Sequence, residues 1–96
     1  MTPAMTEPAP TPLDTRRRRL LYRATHRGSY ENDLLFGGYV SCRIGGMSDN
    51  ELDALEILID LPDADLADWL TGRQEIPTEV DSPMLRAIRA FALERR

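Results

Sequence analysis

The sequence predicts an all-α protein: a compact five-helix bundle behind a disordered N-terminal tail. Three observations carry this expectation. Apolar residues in the body of the chain recur at helical spacing, and no segment alternates convincingly as a strand. Serine and aspartate stand where helices need N-caps, and glycine or proline stands where they must stop. The first dozen residues differ in kind, with four prolines (Pro3, Pro8, Pro10, Pro12) among small and polar side chains. Such a stretch buries too little apolar surface to offset its ordering entropy. Residues 1–13 are therefore expected to be a disordered tail. Residues 14–96 are expected to be one domain, whose roughly eighty residues suffice for a single small core.

The first helix is expected from about Asp14 to His26, capped by Asp14 or Thr15, with Leu20, Leu21 and Ala24 on its inner face. Gly28 just beyond it can end it in the left-handed conformation. The second covers roughly Tyr30 to Ile44, with Leu34, Leu35, Tyr39 and Val40, and Cys42 or Ile44, as its buried stripe. Gly37 and Gly38 weaken this helix by about 1 kcal/mol each relative to alanine, and Gly45-Gly46 stop it. The third starts most clearly. Ser48 precedes Glu51 by the spacing of a capping box, Met47 can staple the entry, and Leu52, Leu55, Leu58 and Ile59 form one face.

Leu61-Pro62 ends that helix, and Asp63 is expected to cap a short fourth one running to Leu70. Asp63 and Asp65 suit its positive dipole end, Leu66, Trp69 and Leu70 point inward, and Gly72 terminates it. After a polar loop around Pro77, Ser82-Pro83 opens the fifth helix with a capping hydroxyl and a proline in its first turn. Leu85, Ile88, Phe91 and Ala92 continue the apolar stripe.

Composition excludes several classes of function. The single cysteine, Cys42, permits no intramolecular disulfide and implies a reducing compartment; it is read as a buried small residue. No apolar run is long enough for a membrane span. The N-terminus has neither a basic region nor an apolar one to make a secretory signal. Residues 1–15 hold no arginine and include Glu7 and Asp14, unlike a mitochondrial presequence. A soluble cytoplasmic protein is the expectation. One histidine, His26, provides no metal site and no supported Cys–His pair, so no enzyme is expected. The glycine pairs lack the lysine of a phosphate loop. Asp63, Asp65 and Asp68 lie in one helix start without a calcium loop.

Charge is distributed in blocks on a chain of net charge −4. Residues 16–27 hold six arginines and no acid, whereas residues 31–82 hold thirteen acids against Arg43 and Arg73. Such blocks can pair with each other or present a polarised face to a partner. A nucleic-acid reading would use the Arg16–Arg19 run. Against it stand the net charge, the absence of interleaved aromatics, and the aspartates on the helix that would have to enter a groove.

The candidate site is Arg27-Gly28-Ser29-Tyr30-Glu31, at the junction of the first two helices. On a capping reading, Gly28 ends one helix, Glu31 starts the next, and Arg27 pairs with Glu31. On a binding reading the corner also exposes both charges and lets a partner's backbone approach the glycine.

Arg27-Gly28-x-x-Glu31 resembles the R-G-x-x-E signature of the flavinylation factors of succinate dehydrogenase, the bacterial SdhE proteins and the mitochondrial succinate dehydrogenase assembly factor 2. The resemblance extends from Arg19 to Arg95 in the same order of features. These are a basic first helix, the corner followed by Asp33, Ser48-Asp49-x-Glu51, Leu61-Pro62-Asp63-x-Asp65-Leu66-x-x-Trp69-Leu70, and an apolar–basic last helix. The second helix departs from the pattern, being richer in glycine. The resemblance implies a five-helix bundle that binds the flavoprotein subunit of succinate dehydrogenase or fumarate reductase. It implies a chaperone that promotes covalent FAD attachment to that subunit, with no stably bound cofactor of its own. Arg27, Gly28, Glu31 and Asp33 would then face the partner.

Overall fold

The computed structural model describes residues 13–95. The expected disordered tail lies outside the described residues except for Leu13, which packs against the core. Five α-helices form: α1 (Thr15–Thr25), α2 (Tyr30–Arg43), α3 (Asp49–Ile59), α4 (Asp63–Leu70) and α5 (Pro83–Glu94). Two 3-10 turns, Ile44–Gly46 and Thr78–Val80, complete the secondary structure, and the described residues include no strand.

Local chemistry accounts for each start. Asp14 accepts the Arg17 N–H at 2.8 Å to cap α1. At α3 the capping box closes both ways, with Ser48 Oγ accepting from Glu51 N and Glu51 Oε1 accepting from Ser48 N. Ser82 caps α5, and Pro83 follows inside its first turn. α2 starts at Tyr30 as expected, capped by Ser29, whose hydroxyl accepts from Asn32 N. The start of α4 differs: the residue before it is Pro62, so Asp63 is its first helical residue and its side chain is released for other bonds.

α2 lies at the centre, packed against α1, α4 and α5. Its inner face carries Phe36, Tyr39 and Val40, which meet Leu20 of α1, Leu66 and Leu70 of α4, and Leu85 and Ile88 of α5 in one buried cluster. Fully burying side chains of this size contributes about 1.5–3 kcal/mol each. Tyr39 and Phe91 meet edge to face at 5.6 Å. Two residues assigned to the inner stripe of α2 face outward instead: Leu34 is 54% exposed, and Cys42 is also exposed. The buried arc is rotated toward position 32, where Asn32 is fully buried. Phe36 lies wholly inside and offers no surface for self-association.

Gly37 has a packing role rather than a loosening one. A Cβ there would lie 3.0 Å from the Ala24 carbonyl oxygen and 3.2 Å from Thr25 Cα, so any larger residue would press α1 away from α2 by a few tenths of an ångström. Gly38 has room, since a Cβ would meet Phe91 at an ordinary 3.5 Å.

The basic and acidic blocks pair with each other. Arg16 bonds Asp53 at 2.6 Å and Glu56 at 3.2 Å, and Arg23 bonds Asp60 at 2.6 Å. Because partner numbers rise together, α1 and α3 run in the same direction with α2 returning between their ends. These pairs are largely exposed and contribute about 0–1 kcal/mol each. Arg17 does more, donating to the Ile44 carbonyl at 2.9 Å and to that of Met47, and so ties α1 to the turn before α3.

Candidate functional site

The Arg27–Glu31 segment forms the turn between α1 and α2. α1 ends at Thr25 with His26 as its C-cap, one residue earlier than expected, so Gly28 lies two positions past the cap. Its φ of +90° is the left-handed value that glycine alone tolerates well. Among the described residues nothing beyond its chain neighbours lies within 4 Å of where a Cβ would stand, so the glycine faces open space.

Arg27 is not displayed beside it. The Arg27 side chain is only 7% exposed and turns inward, where its Nε donates to Asp63 Oδ1 at 2.6 Å. Its two terminal nitrogens donate to the carbonyls of Ile59 at 2.6 Å and Leu61 at 2.5 Å. The guanidinium also lies 5.4 Å from the centre of the Phe36 ring. The planar fork thus fills three acceptors at the α3–α4 junction, a geometry a point-charge ammonium would not reproduce. This corrects both sequence readings: Arg27 does not pair with Glu31, and the corner does not expose its charge. Helices lack donors for their last carbonyls, and Arg27 supplies one for the end of α3.

The other motif residues divide between support and display. Asp33 accepts the Arg27 backbone N–H at 2.8 Å and holds the turn from within α2. Glu31 is half exposed, and among the described residues its one ion pair is a long one to Arg73 at 3.9 Å. Tyr30 is 81% exposed at the start of α2.

Two residues of this site have roles that the sequence pattern does not indicate. Asp63 is expected as a cap, yet its carboxylate receives Arg27. Asn32 donates Nδ2 to the Asp63 carbonyl at 2.9 Å and to Asp63 Oδ1 at 3.3 Å. The available signal was positional, since residue 32 precedes Phe36 by one helical turn and shares its face. Beside the corner, Tyr22, Arg23, His26, Arg27, Ile59 and Asp63 line a cleft of about 270 Å³. The Tyr22 and His26 rings stack there at 3.9 Å between centres. His26 Nδ1 lies 2.9 Å from the Tyr22 carbonyl oxygen.

His26 and Cys42 lie at opposite ends of the α1–α2 hairpin, because the end of α2 meets Arg17 at the start of α1. Among the described residues no group of three His, Cys, Asp or Glu side chains is placed to hold a metal ion. None of the described helices is long and apolar enough to cross a membrane.

Fold and corner together define a small all-α protein built around an arginine-locked helix junction, with a carboxylate and an open glycine on its outer side. The chain belongs to the family described as the flavinator of succinate dehydrogenase, whose model matches residues 18–92 and so includes the whole corner. It is 47% identical over 74 residues to the FAD assembly factor SdhE of Acetobacter pasteurianus, covering 77% of this chain and 68% of that protein. It is 30% identical over 76 residues to the mitochondrial succinate dehydrogenase assembly factor 2 of Dictyostelium discoideum, covering 79% of this chain and 54% of that protein. The corresponding protein of Arabidopsis thaliana is 37% identical over 71 residues, 73% of this chain and 38% of its own length. The match thus covers about half or less of these two mitochondrial relatives. No solved structure matches the chain.

Proposed function

We propose that this protein binds the flavoprotein subunit of succinate dehydrogenase, or of the related fumarate reductase, and promotes covalent attachment of FAD to it. It acts in the cytoplasm as an assembly chaperone and not as an enzyme, and the flavin belongs to the partner. Family membership across the corner carries this reading. The geometry supports it: a half-exposed Glu31 and the open space over Gly28 lie on the outer side of a turn that Arg27 and Asp33 hold from within.

A helper of this kind needs no reactive group. It shifts a conformational equilibrium of its partner by binding one state better than another, and about 1.4 kcal/mol of that difference changes the ratio tenfold. A small polar contact surface also permits release after the flavin is attached. The nucleic-acid reading is weakened by the arginine run itself. Arg16 is bonded to Asp53 and Glu56, Arg17 to Asp14 and two carbonyls, and Arg18 to the Leu13 carbonyl.

The test is to capture the tagged protein with its partners from its native cytoplasm, then delete its gene and measure covalent flavin on the recovered subunit. Recovery of the flavoprotein subunit and loss of its covalent flavin are expected. No flavoprotein recovered, with an unchanged flavin level, would overturn the proposal. A steep fall of DNA affinity with salt would favour phosphate binding in its place.

A further inference from the structure

We infer that Asn32 is a positioning residue, whose buried amide sets the direction in which Glu31 meets a partner and is kept at some cost to stability. The inference rests on the proposed binding role of the corner and adds to it a residue outside the R-G-x-x-E motif.

Asn32 is wholly buried in the first turn of α2. Its Nδ2 reaches both the main chain and the carboxylate of Asp63, the first residue of α4. Among the described residues its Oδ1 is buried without a hydrogen-bond partner. An amide flip would not help, because it would set that oxygen against two acceptors and leave the nitrogen without one. A buried, unpaired carbonyl oxygen is unfavourable, and an apolar side chain of the same branched shape would avoid it. Leucine has that shape. With leucine at position 32, Asp63 would keep Arg27 on its carboxylate and the helical bond on its carbonyl, so no polar group would be stranded.

What leucine cannot do is fix direction. Apolar contact is non-directional, whereas two bonds from one planar amide set the first turn of α2 in a single orientation on α4. The same turn carries Glu31, one residue before Asn32, and Asp33, one residue after it, which holds the Arg27 main chain. Arg27, Asp63, Asn32 and Asp33 thus form a closed circuit beneath the corner. Asn32 is the member whose removal opens the circuit without leaving a charge unpaired.

The test compares wild type with N32L for thermal stability and for affinity toward the purified flavoprotein subunit. A melting temperature equal to or above wild type is expected, with affinity lowered about tenfold, the equivalent of ~1.4 kcal/mol. Because Asn32 acts through Glu31, N32L added to E31A should weaken binding little beyond E31A alone, a non-additivity that a general loss of fold does not produce. Should N32L not fold, N32A carries the same pair of comparisons. Unchanged affinity overturns the inference, as does an affinity loss that is additive with E31A. A wild-type protein that does not bind the subunit removes the proposed function first, and this inference with it.

Discussion

Replacing Arg27 with alanine should act on the fold before it acts on any partner, and the size of the effect follows from its three inward bonds. The guanidinium is 7% exposed and donates to Asp63, Ile59 and Leu61. Removing one member of a buried ion pair costs about 3–5 kcal/mol. Here Asp63 remains 38% exposed and can recover water, which sets the expectation near the lower figure, about 3 kcal/mol. For a domain of this size each kcal/mol moves the melting temperature by roughly 4–8 °C, so R27A should melt about 12–24 °C lower. R27K keeps the charge but not the fork, and should fall between R27A and wild type. E31A is the control: the Glu31 side chain is 48% exposed and its ion pair to Arg73 is long, at 3.9 Å, so the stability change should stay under about 0.5 kcal/mol. Thermal and urea melts followed by circular dichroism measure all three. An R27A variant melting within 2 °C (roughly 0.5 kcal/mol or less) of wild type would refute the clamp. Equal losses for E31A and R27A would refute the division of the motif into a supporting and a displayed charge.

Three further outcomes are expected. G37A should destabilise by about 1–3 kcal/mol, since its Cβ would press on the Ala24 carbonyl and Thr25, whereas G38A should be neutral or stabilise by up to about 1 kcal/mol; paired melts decide this. G28A meets no clash and should lose only the left-handed conformational preference, about 1–2 kcal/mol, read from the same melts. The side-chain bonds from Arg86 hold the Asp81 carboxyl below its ordinary range, so its contribution is present above that range and is lost as pH falls through its lowered value. D81N should therefore be less stable than wild type at neutral pH, with the difference shrinking below about pH 4 in urea melts.

The parts of the fold that were legible in the sequence are those settled within a few residues. The Ser48–Glu51 box, the Ser82-Pro83 start and the left-handed Gly28 each depend on neighbours along the chain, and each stands where its pattern indicated. Hydrophobicity alone places Leu34 and Cys42 on the buried face of α2, yet both are exposed. Tertiary bonding instead made a polar residue, Asn32, part of the interior. The site was legible as a place but not as a mechanism. Five consecutive residues containing Arg27 and Glu31 suggest a local ion pair, and nothing in such a window reveals an acceptor thirty-six positions away in Asp63. Gly37 follows the same logic, since a helix-propensity penalty is local while the close approach of Thr25 is not.

Arg17 and Arg27, ten positions apart, bracket α1, and their carbonyl acceptors bracket α3. Arg17 takes Ile44 and Met47 before it, and Arg27 takes Ile59 at its last residue and Leu61 just beyond. The two parallel helices are therefore hasped at both ends, with Arg16 and Arg23 as looser rungs between. Neither end of α1 can fray without stripping donors from the matching flank of α3, so the pair should open and close as one cooperative folding unit. The turn that carries Gly28 and Glu31 hangs from one end of that unit. Its accessibility to a partner then depends on whether this whole half of the protein is formed, not on the motion of a loose loop.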